Sequence, residues 1–213
     1  MANGAVTWDI LIATIPHRHE SLCGLLAHLH RQMKQGVGVR LYRDNLEVSY
    51  GGKCATLLAS SEAEYVSFLD DDDTVTQDYM HRVCRALRWH PDYVGFLVRY
   101  TIDGEPGPRV EHSLRHTGWV NTQEILTRDI VHFNPIRREL ALLGTWEGGN
   151  GADRRWADGV RASGKVQREK WISHPVHCYQ ERTADNFLTP REPVRGPLPQ
   201  LPAYPWLTIL EPA

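Results

Sequence analysis

Four consecutive aspartates, Asp70 to Asp73, directly follow the apolar stretch YVSFL at residues 65–69. Adjacent carboxylates repel one another, and at the end of a buried strand they are costly without a positive partner. A hard divalent cation supplies that charge, because Mg²⁺ and Mn²⁺ prefer oxygen ligands and keep coordination sites for phosphate oxygens. The run therefore predicts a Mg²⁺ or Mn²⁺ site. The alternative is a solvated acidic turn or a cap for the following helix.

Apolar runs and helical faces alternate through the first hundred residues and must position these aspartates. Short, nearly continuous apolar runs predict strands at residues 8–15, 39–42, 65–69 and 93–100. Helical spacing of apolar residues predicts helices between them, around residues 22–29, 53–63 and 80–87. This alternation is typical of an α/β fold with a doubly wound, mostly parallel sheet flanked by helices.

Sheets of this class bind ligands at the carboxyl ends of their strands. The segment at residues 16–18 follows the first predicted strand, Asp44 follows the second, and Asp70 follows the third. We therefore expect these residues on one rim of the sheet, although they are far apart in the chain.

The second half of the chain has a less regular pattern. Glycine and proline predict loops or a hairpin over residues 103–118, and a helix is predicted from Asp153 to about Ala162. Residues 189–213 are rich in proline, which excludes a helix or a central strand and predicts an extended arm. Such an arm is a candidate for docking a partner or a second copy of the chain.

Composition excludes several classes of protein. The chain has 213 residues, 41% of them hydrophobic, so a globular core is expected. Its 24 Lys and Arg nearly balance its 26 Asp and Glu, so a nucleic-acid partner is not expected. The four cysteines form no CxxC pair, which argues against a zinc ribbon and predicts free thiols in a reducing cytoplasm. We see no signal peptide and no apolar run long enough for a transmembrane segment.

The stretch GGKCATLLASSEAEYVSFLDDDD resembles the nucleotide-sugar site of family 2 glycosyltransferases with the GT-A fold. The opening ILIATIPHRHESLCGLLAHL is similar to the first strand and helix of that family. The resemblance covers roughly residues 8–180. It implies one catalytic domain over residues 1–188, followed by the tail at 189–213. Within the domain, residues 1–100 would bind the nucleotide sugar and residues 101–188 would serve the acceptor and catalysis.

The resemblance implies roles for residues on the predicted rim. Asp70 would lie near the ribose or the metal, and Asp72 would bind the metal that bridges the donor diphosphate. Four aspartates in a row leave the register open, so Asp71 and Asp73 are rivals. Thr14, Pro16 and Arg18 would line the nucleotide pocket, and Asp44 would contact the base. Lys53 would reach a phosphate or the base, unless it is an ordinary surface lysine.

The catalytic base implied by the family is Asp153 in the segment GADRRWAD. Ala152 stands where the family has a glutamate, so Asp158 and Glu147 are substitutes, and an N-cap role for Asp153 is the alternative. His177 or His174 would complete the metal site. Arg137 and Arg138 would lie near the acceptor or diphosphate, with a solvated basic turn as the alternative. Trp146 and Trp156 would form a platform on which a sugar stacks, with core packing as the alternative.

Together these implications predict an inverting, metal-dependent glycosyltransferase that moves a sugar from a nucleotide sugar, most readily a UDP-sugar. The acceptor would be a hydroxyl of a glycan, a protein or a small molecule. A nucleotidyltransferase is an alternative, but the segment TIPHRH lacks the glycines of a phosphate loop. A non-catalytic carbohydrate- or metal-binding module is another, supported by Ala152.

Overall fold

The computed structural model describes residues 6–181 and 192–212, which form a 12-stranded sheet with helices on both faces. The helices are α1 (His19–His30), α2 (Tyr50–Ser60), α3 (Tyr79–Leu87), α4 (Arg138–Ala141) and α5 (Ala152–Ala162). The first six strands are β1 (Trp8–Ala13), β2 (Val37–Tyr42), β3 (Tyr65–Phe68), β4 (Thr74–Val75), β5 (Tyr93–Ile102) and β6 (Glu105–Pro106). The remaining strands are β7 (Arg109–His112), β8 (Val120–Asn121), β9 (Ile125–Arg128), β10 (Ile136–Arg137), β11 (Glu169–Glu181) and β12 (Leu207–Leu210).

The parallel half of the sheet is centred on β1, which lies between β2 and β3 and is parallel to both. One core cluster packs α1 and α3 on one face of the sheet, and a second packs α2 and α5 on the other. The direction of strand addition reverses at β1, which opens a crevice at the carboxyl ends of β1 and β3. The predicted doubly wound α/β fold is therefore confirmed.

Beyond β3 the sheet is mixed rather than parallel. The two-residue strand β10 lies between β3 and β5 and is antiparallel to both. The long strand β11 runs parallel to β5, with its register shifted around Pro175. A strand of two residues carries too little periodicity to be predicted, which is why the sequence gives no sign of β10.

Helix α2 begins three residues earlier than the predicted helix at 53–63. Ser49 caps it, because its hydroxyl accepts a hydrogen bond from Gly52 N at 3.2 Å. Gly51, the second residue of α2, leaves room for the loop before α5, which approaches closely. A Cβ at this position would lie 2.7 Å from the carbonyl oxygen of Gly148. The two glycines of the GGK turn thus belong to the first turn of a helix.

Part of the proline-rich tail returns to the sheet. Strand β12 pairs in parallel with β2 at the sheet edge, which agrees with the exclusion of a helix or central strand. Before it, Tyr204 and Trp206 stack on each other and on His30. The predicted domain boundary at residue 188 lies outside the described residues.

The helices of the described ranges include none with the length and apolar character needed to span a membrane.

Candidate functional site

The rim at the carboxyl ends of β1 and β3 gathers several of the predicted residues. The Thr14 hydroxyl donates a hydrogen bond to Asp71 Oδ2 at 2.6 Å, and Arg18 Nη1 donates to Asp71 Oδ1 at 2.8 Å. The same guanidinium lies 3.0 Å from Asp72 Oδ2. Arg18 therefore supplies a positive partner for two of the four aspartates. The sequence analysis predicted only a metal ion for that role.

Asp70 and Asp73 contact residues other than Arg18. Tyr50 donates a hydrogen bond to Asp70 Oδ1 at 3.1 Å, and Asp73 Oδ2 lies 3.0 Å from His177 Nε2. The pair lies at ion-pair distance, yet Asp73 Oδ2 and both His177 nitrogens have no hydrogen-bond partner within the part of the chain that the structure describes. Burial, then the neighbouring aspartates, raise the pKa of Asp70 well above its usual range, and burial also raises the pKa of Asp73.

These buried, poorly satisfied donors fit a divalent cation in their chemistry. Among the described residues, no three His, Cys, Asp or Glu side chains are arranged to hold a metal ion without further ligands. Mg²⁺ does not require such a cage, since it is commonly bound through one or two carboxylates plus substrate phosphates. The geometry pairs His177 with Asp73, whereas Asp72, the predicted ligand, is half exposed and contacts Arg18.

The raised pKa of Asp70 predicts a stability cost at neutral pH. A carboxyl whose folded pKa exceeds its unfolded value destabilises the fold as pH rises from the unfolded pKa through the folded one. Asp70→Asn should therefore raise the Tm at pH 7, where 1 kcal/mol is worth about 2–4 °C in a domain of this size, and change it little near pH 3. Thermal unfolding across pH checks this, with half-exposed Asp72→Asn as the comparison. An equal gain at both pH values would contradict it.

Asp44 and Lys53 form a buried ion pair beside the rim. Both side chains are almost fully inaccessible, and Lys53 Nζ also donates to the Thr14 carbonyl oxygen at 2.9 Å. Asp44 accepts hydrogen bonds from the backbone N–H groups of Leu46 and Val48 as well. Lys53 is therefore not a surface lysine, and neither side chain is open to solvent in this conformation.

The C-terminal strap, residues 192–206, covers a separate crevice at the ends of β1 and β2. Arg43 Nη1 donates to the Pro199 carbonyl oxygen at 2.9 Å, and Asn45 exchanges two hydrogen bonds with the backbone of Val194. The remaining cavity measures about 20 Å³, and Pro16 and Leu198 are among the residues that line it. That volume holds about one water molecule.

A second, much larger cavity of about 510 Å³ opens beside Asp70 and reaches the start of α5. Asp153 and His177 line it, which brings the predicted base and one predicted metal ligand to the same space as Asp70. Gly151, with a φ of 75°, is the N-cap of α5, so Asp153 is not the cap and its carboxylate is not used there. Ala152 is fully buried in the core and contributes no carboxylate to the cavity.

The substitutes for Asp153 lie outside this cavity. Asp158 pairs with Arg161 on the exposed face of α5, and Glu147 is exposed. His174, the rival of His177, is exposed too and lies against the hydroxyl of Ser173.

The structure gives packing and ion-pair contacts, not site contacts, to the two predicted arginines and the two predicted tryptophans. Arg137 lies 3.0 Å from Glu64 and packs over Tyr65 at the amino end of β3, the opposite end from Asp70, and Arg138 follows it there. The proposed place near the diphosphate is thus wrong for both arginines. Trp146 and Trp156 stack at 5.3 Å and are buried, so core packing holds for both and the sugar platform is wrong.

Several cavity residues escaped the sequence analysis. Tyr50 and Trp119 lie in its wall, together with His112, Arg128 and His132. Burial lowers the pKa of His132 to about 4, against the opposing effect of the Asp153 charge, so its ring is neutral at pH 7. Histidines in short, irregular strands and loops carry no spacing signal, and only the fold brings them together.

Residues 22–142, more than half of the chain, match the family model for glycosyl transferase family 2. A search of the curated proteins finds no match.

Solved structures of S. aureus TarS share the fold. TarS 1–349 matches with a TM-score of 0.65 at 14% identity, over 82% of this chain and 60% of that one. TarS 1–349 in complex with UDP-GlcNAc matches with a TM-score of 0.64 at 14% identity, over 83% and 59% of the two chains. The complex with UDP gives 0.59 at 15% identity, over 82% and 60%. The chain thus spans about three fifths of the TarS 1–349 structures it matches.

Proposed function

We propose that this chain, which belongs to glycosyl transferase family 2, transfers a sugar from a nucleotide-sugar donor to an acceptor hydroxyl, with inversion at the sugar carbon. The observation that carries the proposal is the 510 Å³ cavity, in which Asp153 and Asp70 share a wall with His177. Its size lies within the usual range for small-molecule sites. The binding of UDP-GlcNAc and UDP by S. aureus TarS supports a UDP-sugar as the donor.

In the proposed reaction, Asp153 accepts the proton of the acceptor hydroxyl as that oxygen attacks the sugar carbon. The bond between the sugar carbon and the diphosphate breaks, and the nucleotide diphosphate leaves from the opposite face. Holding donor and acceptor together in the cavity contributes a large part of the rate. Arg18, which is partly exposed beside Asp71 and Asp72, is available to interact with the diphosphate.

Mn²⁺ or Mg²⁺, when bound, would neutralise charge on the departing diphosphate. We propose His177 and Asp72 as its protein ligands, with Asp73 as the rival because it already lies beside His177. Asp70, on the cavity wall, would contact the ribose or the metal.

Binding of a nucleotide-sugar panel tests the proposal. Calorimetric titration with UDP-, GDP-, CMP- and dTDP-sugars in the presence of Mn²⁺ should show one preferred nucleotide, with UDP-sugars expected. Arg18→Gln should weaken binding of that donor by about tenfold, because a charge-assisted contact to phosphate is lost. Arg31→Gln, at the exposed C-terminal end of α1, is the matched control and should leave the affinity for the donor unchanged. No binding across the whole panel would overturn the assignment.

The strap leads to a second expectation for the nucleotide. Thr14, Pro16 and Asp44 line a crevice of about 20 Å³, too small for a base while residues 198–201 cover it. If the base binds there, UDP should raise hydrogen exchange of backbone amides in residues 192–206, including Val194 N–H. Mass spectrometry of the free and UDP-saturated protein measures this, and free GlcNAc should have no effect. Unchanged or slower exchange at saturating UDP would place the base elsewhere.

A further inference from the structure

His112 lies on β7 in the wall of the large cavity, and the transfer chemistry proposed above makes no use of it. Its side chain is 5% exposed and packs against the ring of Phe96. A buried polar side-chain atom normally has a hydrogen-bond partner, either from the protein or from a bound molecule such as water. Only one of its nitrogens has a partner among the described residues.

The hydrogen bonds of Asn134 determine which nitrogen of His112 carries the proton. Asn134 Nδ2 donates to the Val94 carbonyl oxygen at 2.8 Å, and that contact requires the amide nitrogen on that side. Asn134 Oδ1 therefore faces His112 Nδ1, 2.8 Å away, and can only accept. Nδ1 must carry the hydrogen. In the neutral ring, Nε2 is then an acceptor that has no partner among the described residues.

The surroundings keep the His112 ring neutral. Burial lowers the pKa of His112 to about 3, against the opposing effect of its hydrogen bond to Asn134, and the nearby His177, Arg128 and His132 lower it further. An unprotonated Nε2 can only accept a hydrogen bond, so its partner must bring a hydrogen. Phosphate oxygens bring none at neutral pH in a diphosphate ester. Hydroxyl and amide N–H groups of a sugar do.

We propose that His112 is a specificity-determining residue whose Nε2 accepts a hydrogen bond from a hydroxyl or amide N–H of a sugar bound in the cavity. The inference rests on the proposed function, since it takes the cavity to be the place where sugars bind. The sugar of the donor and the sugar of an acceptor offer the same chemistry. A site that pairs with a hydroxyl discriminates against sugars that lack it, because its buried acceptor is then left unpaired.

Calorimetry with UDP-GlcNAc and with UDP tests the inference, using wild type, His112→Phe and His116→Phe. Phe keeps the ring packing but removes the acceptor, and His116, which pairs with Glu111, is the matched control outside the cavity wall. If the donor sugar is the partner, His112→Phe should weaken UDP-GlcNAc by about 5- to 10-fold and leave UDP unchanged. If an acceptor sugar is the partner, both affinities stay unchanged and kcat/KM for methyl glycoside acceptors falls by a similar factor.

Two results would overturn the inference. One is an equal loss of UDP and UDP-GlcNAc affinity, which would mean that His112 pairs with a donor of the uridine or that the site is generally disturbed. The other is no change in donor affinity or in acceptor kcat/KM. Wild type that binds no member of the nucleotide-sugar panel would instead refute the proposed function, and the inference would fail with it.

The tautomer gives a readout that does not depend on turnover. In two-bond ¹H–¹⁵N correlation spectra of the free protein, His112 should show a protonated Nδ1 and an unprotonated Nε2. Saturation with the sugar that His112 contacts should shift the Nε2 resonance towards that of a hydrogen-bonded nitrogen, while UDP should leave it in place. A proton on Nε2 in the free protein would contradict the assignment.

Discussion

Asp153→Asn should lower kcat for sugar transfer by about 10²- to 10⁴-fold while donor affinity stays within about twofold. The amide has nearly the same shape as the carboxylate but cannot take the proton of the acceptor hydroxyl. Asp153 does not cap α5 and lines the cavity, so the substitution should leave folding intact. Steady-state release of the nucleotide with acceptor present measures kcat, and calorimetry measures donor binding.

Asp158→Asn is the matched control for this prediction. Asp158 lies on the same helix, pairs with Arg154 and Arg161, and does not line the cavity, so its replacement should leave kcat unchanged. Full activity in the Asp153→Asn enzyme would refute the base assignment. If wild type and Asp153→Asn bind donors equally well and neither transfers a sugar, the chain would instead be the non-catalytic binding module.

Lys53→Met should destabilise the fold by about 3–5 kcal/mol, the usual cost of removing one partner of a buried ion pair. Asp44 would remain almost fully inaccessible, with two backbone N–H donors but no counter-charge. The Thr14 carbonyl oxygen would also lose its hydrogen bond from Lys53 Nζ. Urea denaturation at pH 7 measures the loss, as a lower midpoint at similar slope.

Lys34→Met, at an exposed lysine beyond the end of α1, is the control and should change the free energy of unfolding by less than about 0.5 kcal/mol. A loss of similar size in both variants would show that the effect is not specific to the buried pair. A Lys53→Met protein as stable as wild type would mean that Asp44 gains nothing from Lys53.

The parallel half of the fold could be predicted because its strands are buried on both faces. β1 and β3 are nearly continuous apolar runs, and their helices carry clear helical spacing. β10 could not be predicted, since its two residues are stabilised entirely by pairing with β3 and β5. Strand β11 contains Pro175 and several polar residues, and it forms because β5 offers it an edge.

The candidate site was predictable where position along the chain determines position in space. Asp70 and Thr14 follow strands whose carboxyl ends must meet, and Asp153 begins a helix that the sequence pattern indicates. The partners of each side chain were not predictable. Whether Lys53 faces solvent or Asp44, and which aspartate Arg18 contacts, depends on side-chain directions in the folded chain, and Arg18 and Asp71 are 53 residues apart in sequence.

The histidines show the same limit most clearly. His112 and His132 lie in segments without regular spacing, and the sequence drew attention only to His174 and His177. The fold places His112, His132 and His177 around one cavity and leaves His174 exposed. The role of a histidine therefore depends on which strands become neighbours in the fold. The local sequence pattern does not predict that.

Nucleotide release from the preferred UDP-sugar tests most directly whether the cavity carries out the proposed metal-dependent sugar transfer. Wild type should release UDP with Mn²⁺ present, and EDTA should abolish the release. Asp72→Asn and His177→Ala should lose it, while Asp153→Asn should retain donor binding. No UDP release by wild type, with or without Mn²⁺ and across a panel of hydroxyl acceptors, would contradict the account.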